Sequence, residues 1–336
     1  MPFVLSPRSA LASPLRLRSS SVAAAAARGS FILRSGHRPG ARRLHVALAA
    51  DNDRLGCGLV TLDYLATVDA YPRPDDKIRT GELKLPQPAA SLLTICFATG
   101  AFFGNAAALQ ISGRGNAGNA LTAARLGLNT RVISKISDGG NTKFVYIIID
   151  KKTRTCILTP GDPPIVPSDL PMSSLSAALQ DVSLLYLDGY SPEMALVVAK
   201  QTPINLWKAD QMKIPILVDA EQERTQEELE GLLSLASYIV CSGKFPKFMG
   251  VSARGLGTVF GRLLIGTAEV IPASELVDTT GCGDAFIGAV LHALSAEMPA
   301  EKMLPFASQV AGIKCRAVGA RGGLPWRSDQ RLAKYL

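Results

Sequence analysis

Seven consecutive residues near the C-terminal end, Asp278-Thr279-Thr280-Gly281-Cys282-Gly283-Asp284, gather two carboxylates, two hydroxyls and two glycines. That combination suits phosphoryl transfer. Leu276 and Val277 close an apolar approach, and Ala285 to Leu294 reads as a helix with Phe286, Val290 and Leu294 on one face. Glycines let such a turn aim backbone N–H groups outward. At a helix N-terminus those amides and the positive end of the helix dipole favour a phosphate or a developing oxyanion. On this reading the amides of Gly281, Cys282 and Gly283 form an anion cradle, and Asp284 takes the proton of an attacking hydroxyl. The plainer alternative makes Asp284 an ordinary N-capping acid, yet a cap needs only one polar side chain.

The elements that position this turn follow from alternating apolar runs and helical patterns. Leu184 to Asp188, Ile214 to Asp219 and Tyr238 to Cys241 read as buried strands, with Glu193 to Lys200 and Gln226 to Leu235 as intervening helices. This βαβ rhythm predicts an α/β fold with a mainly parallel central sheet flanked by helices and ligands gathered at the strand C-terminal ends. Asp188 and Asp219 fall at such ends, as site acids or as caps. Val145 to Ile157 instead reads as a hairpin, two β-rich runs around the polar Asp150-Lys151-Lys152-Thr153 turn.

Several chemistries are excluded or weakened. Of three histidines, His37 and His45 lie in the first fifty residues and His292 falls in the signature helix, so histidine triads and His-rich metal sites have no residues to use. Six scattered cysteines form no CxxC pair, which fits a reduced compartment. Gly243-Lys244 is followed by Phe245, so there is no P-loop. Gly113-Arg114-Gly115-Asn116-Ala117-Gly118 does satisfy G-x-G-x-x-G, with Asp138 after the strand-like Arg131 to Ser134, so an NAD(P)-dependent oxidoreductase is an alternative. That reading leaves the Asp278 to Asp284 cluster unused and offers no histidine or Tyr-x-x-x-Lys for a hydride step.

The signature resembles the D-T-x-G-A-G-D motif of the pfkB (ribokinase-like) carbohydrate kinases, with Cys282 in place of the usual alanine. Gly58 to Asp63 resembles that family's first strand with its substrate aspartate. Gly115-Asn116-Ala117-Gly118-Asn119-Ala120 followed by Ala124 to Gly127 resembles its N-terminal glycine-rich motif. Val218 to Glu221 and Ala311 to Gly323 fit the same pattern, so the resemblance covers most of residues 55–336. It implies a ribokinase-like fold with a small β lid, built from residues 77–85 and 143–160 within a kinase domain spanning 51–336. It also implies ATP- and Mg2+-dependent phosphorylation of a hydroxymethyl group on a sugar, nucleoside or polyol. Asp63, Gly115, Asn116 and Asn119 would bind that acceptor, and Thr280, Ala317 and Gly319 the nucleotide. Asp278 would serve a monovalent cation such as K+, and a homodimer is compatible with the family.

Departures from the pattern are local. Residues 95–112 look inserted, and with Thr99, Asn105 and Gln110 they make a poor membrane span. Ser137 to Thr142 runs straight into the hairpin. Lys244 to Gly250 leads almost at once to Gly257 to Arg262, without the family's N-x-x-E motif or its nucleotide-contacting glycine turn. These gaps leave a second reading open, a kinase-like protein with little turnover that acts as a binding or assembly partner.

Residues 1–50 contain no Asp, Glu or Lys but eight arginines among Ser and Ala, a transit-peptide composition pointing to a plastid or, as an alternative, a mitochondrion. With those arginines set aside, 28 basic residues face 28 acidic ones, so the remaining chain is neutral and presents no basis for a nucleic-acid face. The leader is expected to be disordered, outside the core and dispensable for stability. Fused to a fluorescent protein, residues 1–48 should carry it into plastids or mitochondria; a diffuse cytosolic signal under the microscope would refute the targeting assignment.

Overall fold

The computed structural model describes residues 2–7, 53–58, 62–74, 76, 78–80, 82–84, 101–105, 122–135, 144–150, 154–158, 166–201, 214–220, 226–242 and 261–336. Its strands are β1 (Pro2–Pro7), β2 (Asp53–Cys57), β3 (Leu62–Thr67), β4 (Glu82–Lys84), β5 (Ala101–Asn105), β6 (Thr130–Lys135), β7 (Phe144–Ile149), β8 (Arg154–Leu158), β9 (Val182–Asp188), β10 (Ile216–Ala220), β11 (Tyr238–Ser242) and β12 (Gly261–Ile265). The helices are α1 (Met172–Leu179), α2 (Pro192–Gln201), α3 (Gln226–Leu233), α4 (Cys282–Ser295) and α5 (Ala300–Lys314).

Alternation of side chains along the central strands explains the layers. In β9, Leu184 and Tyr186 pack with α4 and α5 on one face, while Leu185 and Leu187 pack with α1, α2 and α3 on the other. Strands β10 and β11 repeat this split: Leu217 and Val240 face the first layer, Ile216, Val218, Ile239 and Cys241 the second. With both faces covered, the runs are apolar throughout, as a parallel sheet requires. The large sheet has the order β12-β1-β11-β10-β9-β2-β6-β5. Strands β11, β10, β9, β2 and β6 run parallel, and β5 closes one edge antiparallel to β6.

A second sheet has the order β4-β3-β7-β8; β4 falls within 77–85, β7 and β8 fall within 143–160, and β3 comes from outside both segments. The predicted hairpin is the antiparallel pair β7 and β8, with Ile147 opposite Cys156. Leu65, Val145, Ile147 and Ile149 bury one face of this sheet. Tyr64 lies opposite Tyr146, their rings 5.5 Å apart.

Two expectations change here. The stretch Gly58 to Asp63 is not one strand: β2 ends at Cys57 in the large sheet, and Asp63 begins the next strand, β3, in the small one. Gly58 marks the turn between them, where a Cβ would collide with the Asp188 carboxylate. Helix α4 is buried all round, with residues 285–293 all inside, rather than along a single stripe, because α5, the sheet and the C-terminal segment enclose it. There His292 packs against Phe306 at 5.7 Å, and burial, then Arg327 and Arg54, hold its pKa down to about 4. Within the 95–112 segment, residues 101–105 form the edge strand β5. The remainder lies outside the described residues.

The largest correction concerns the leader. Residues 2–7, Pro-Phe-Val-Leu-Ser-Pro, form β1, antiparallel to both β11 and β12 and lying between them. An apolar segment with β-branched and aromatic residues satisfies two strand edges at once, so composition alone misplaced it. Residues 8–50 lie outside the described residues. Deleting residues 1–7 should therefore lower the melting temperature by at least about 4 °C. An unchanged calorimetric transition would show that β1 adds nothing to the sheet.

Candidate active site

The signature turn is fixed by one carboxylate. Asp278 is buried, and its Oδ1 accepts from the Thr280 amide at 2.8 Å and the Thr280 hydroxyl at 2.7 Å, while Oδ2 accepts the Gly319 amide at 2.7 Å. The turn is thereby pinned to the loop after α5. Lys314 adds a second tie: fully buried, its Nζ donates to the Asp278 carbonyl at 3.0 Å and the Ala317 carbonyl at 3.1 Å. Burial lowers the Lys314 pKa, and Asp278 opposes that shift. The Cys315 carbonyl accepts the amides of Val277 and Asp278 at 2.9 and 3.1 Å, which completes the clamp.

Gly281 then turns the chain into α4 with φ of 74°, and a Cβ there would sit 2.9 Å from the Ala320 backbone. Only glycine meets both conditions. Gly283 is different, since a Cβ on it would meet nothing within 4 Å, so it leaves open space in front of the helix. Among the cradle amides, Cys282 N–H is drawn back to the Thr279 carbonyl at 3.2 Å. This narrows the outward set predicted from three amides, because the tight left-handed turn closes its own hydrogen bond. Asp284 sits in the first turn of α4, half-buried beside this space.

The structure thus brings together Asp278, Thr280, Gly281, Cys282, Gly283, Asp284, Ala317 and Gly319. Thr280 is wholly buried, with hydroxyl and amide both committed to Asp278, so its polar groups brace the turn. The three donors on Asp278 take up most of the carboxylate that the resemblance reserves for a monovalent cation. Among the described residues no group of three or more His, Cys, Asp or Glu side chains could hold a metal ion. Asp63 is buried on β3, whose Leu65 side chain would lie 3.7 Å from a Cβ on Gly319, so the small sheet meets the signature loop. Gly115, Asn116 and Asn119 lie outside the described residues, as do residues 243–260.

Two basic residues escaped the sequence reading. Lys314 gave no signal because a lysine in a last helical turn usually caps carbonyls in solvent. Arg154, at the start of β8, bears electrostatically on both Cys282 and Lys314, lowering the pKa of each. The dinucleotide alternative loses its context. The strand nearest before Gly113 among the described residues is β5, an antiparallel edge strand, whereas that fingerprint follows a central parallel strand. At the other strand ends, Asp188 accepts from the Tyr190 amide at 3.3 Å and Asp219 from the Tyr186 hydroxyl at 3.3 Å. No described helix is long and apolar enough to cross a membrane.

Residues 265–327 match the profile of the pfkB family carbohydrate kinase. Ribokinase of Bacillus subtilis is 39% identical over 71 residues, 20% of this chain and 24% of that protein. Ribokinase of Mus musculus is 31% identical over 83 residues, 22% of this chain, so the match spans only 26% of the relative's length. Among solved structures, the Burkholderia thailandensis nucleoside kinase in complex with inosine superposes with a TM-score of 0.57 at 14% identity, covering 84% of this chain and 96% of its own. The Methanocaldococcus jannaschii nucleoside kinase, an archaeal member of the ribokinase family, gives 0.53 at 15% identity over 84% and 98%. The fold is therefore ribokinase-like, and the C-terminal segment is similar in sequence to the pfkB kinases.

Asp278→Ala would leave the Gly319 amide and both Thr280 groups without their acceptor. It should cost about 3 kcal/mol in urea unfolding, whereas Thr280→Val, which removes one donor, should cost about 1 kcal/mol. Equal, small losses would show that the clamp is not what holds the turn.

Proposed function

We propose that this chain is an ATP-dependent phosphotransferase that phosphorylates a hydroxymethyl group of a sugar, nucleoside or polyol. The observation that carries the reading is the αL Gly281 pressed against Ala320, which starts α4 with Asp284 in its first turn beside open space at Gly283. A helix N-terminus in that position favours the charge of a transferring phosphoryl group, and Asp284 is the carboxylate placed to accept the acceptor's proton. The ribokinase-like fold and the pfkB match over residues 265–327 support the same assignment.

The residues divide the work. Lys314 and Asp278 hold the cradle rigid, so that its dipoles need no reorganisation as charge develops. Arg154, carried by the β7 and β8 hairpin, adds positive charge that acts on Cys282. Asp63 and the glycine-rich segment with Gly115, Asn116 and Asn119 are assigned to the acceptor hydroxyls, and the loop from Ala317 to Gly319 to the nucleotide. Mg2+ would arrive with the nucleotide and offset the charge of its phosphates. The arginine-rich composition of residues 1–50 supports work in a plastid or mitochondrion.

Asp284→Asn keeps the shape of the turn and removes the base. It should lower kcat by about 100-fold or more while leaving the acceptor dissociation constant nearly unchanged. The check is ATP consumption against a panel of pentoses, hexoses, inositol and nucleosides, with acceptor binding followed by calorimetry. An active preparation whose rate survives the substitution would reduce Asp284 to a capping residue.

A further inference from the structure

The last residue of α5 carries an amine to a place that solvent does not reach. Lys314 is wholly buried, and its Nζ donates to the Asp278 carbonyl at 3.0 Å and to the Ala317 carbonyl at 3.1 Å. Asp278 opens the signature turn and Ala317 lies in the loop after α5, so one side chain joins the two segments that build the site. We propose that the Lys314 ammonium is this chain's own monovalent cation at the signature turn, which therefore forms and works without K+ from solution.

The family resemblance reserves Asp278 for such an ion, and the geometry shows what already stands beside it. K+ is held in proteins by oxygen atoms that replace its hydration shell, backbone carbonyls prominent among them. Here the carbonyl oxygens of Asp278 and Ala317 accept from Nζ instead. The Asp278 carboxylate, the anionic ligand of such a site, accepts the Thr280 amide and hydroxyl through Oδ1 and the Gly319 amide through Oδ2. A metal ion entering there would have to share these oxygens with their present donors, and it would meet a charge of its own sign. An ammonium group matches K+ in charge and comes close to it in radius. Lysine delivers that charge as a compact point on a flexible stem.

A buried ammonium needs support, and the fold provides it from several directions. Burial lowers the Lys314 pKa, while the Asp278 charge works against that shift. Lys314 also occupies the C-terminal end of α5, where the negative pole of the helix dipole favours a cation. The next residue holds the same turn through its backbone: the Cys315 carbonyl accepts the amides of Val277 and Asp278 at 2.9 and 3.1 Å. An ion from solution fills its site only in proportion to its concentration, whereas a tethered one is present in every folded copy. Lys314 is thus a positioning residue whose charge belongs to the fold. Its effect on turnover rests on the phosphotransferase reading; its effect on stability does not.

The test melts the full chain in a calorimeter in KCl and in choline chloride at equal ionic strength, about 0.1 M. The wild-type transitions should agree within about 1 °C. Lys314→Met keeps the stem and removes the charge. It should melt below wild type in choline chloride and recover by about 4 °C or more in KCl, as K+ takes the vacated carbonyls. If this variant does not survive purification, refolding from urea reads the same preference, with a yield about threefold or more higher in KCl. Wild-type turnover of any acceptor should differ by less than about twofold between the two salts. A wild-type melting temperature or rate that climbs with K+ would overturn the proposal. So would a Lys314→Met variant whose melting or refolding is alike in both salts, which would make Lys314 a structural tie only. A salt-indifferent wild type and a K+-rescued variant that phosphorylate none of the acceptors would count against the phosphotransferase reading alone.

Discussion

Everything at the C-terminal site depends on the buried Asp278 carboxylate, which gathers three donors from two segments that are far apart in sequence. A buried carboxylate is costly unless its lone pairs are used, and here the amide and hydroxyl of Thr280 and the amide of Gly319 use them. The result is a turn with little freedom, entering α4 from a glycine that both its left-handed backbone and the close approach of Ala320 require. Lys314 serves the same end from the other side. Its buried ammonium has two carbonyl acceptors and the Asp278 charge nearby, so it ties the end of α5 to the start of the signature.

That clamp needs a stiff support, and the two-faced sheet supplies it. Leu184 and Tyr186 against Leu185 and Leu187 show how a single apolar strand serves two layers at once. Helix α4 follows the same rule, being buried around its whole circumference, so the cradle at its N-terminus cannot tilt without moving the core. Even the small sheet is tied in, through Val318 packing on the Leu65, Val145, Ile147 and Ile149 cluster. The small sheet and the loop after α5 therefore share one packed contact.

Much of this was legible in the sequence because period and composition fix local structure. The strand and helix alternation from Leu184 to Cys241, the β7 and β8 hairpin and the α4 start all follow from apolar patterning around glycine and polar turns. What the sequence did not reveal was long-range. Nothing near Pro2 to Pro7 signals that its partners are β11 and β12, since strand pairing depends on edges left vacant elsewhere. The resemblance implies a cation role for Asp278, and nothing in the isolated acid reveals that Gly319 also places its amide there. Lys314 and Arg154 were missed for the same reason, as their meaning lies in the carbonyls and thiol they approach.

The substitution at position 282 shows how one field can serve two chemistries. A helix N-terminus that favours phosphate oxygen favours a thiolate by the same amides and dipole, and Arg154 and Lys314 add to both. With alanine there, only an incoming anion can use that field; with cysteine, the protein carries its own candidate anion. Cys315 contributes its backbone carbonyl, which accepts the Val277 and Asp278 amides and anchors the signature. Charge stabilisation at the cradle and reactivity of its thiol are therefore one physical property of this turn, and any change in the turn's polarity alters both.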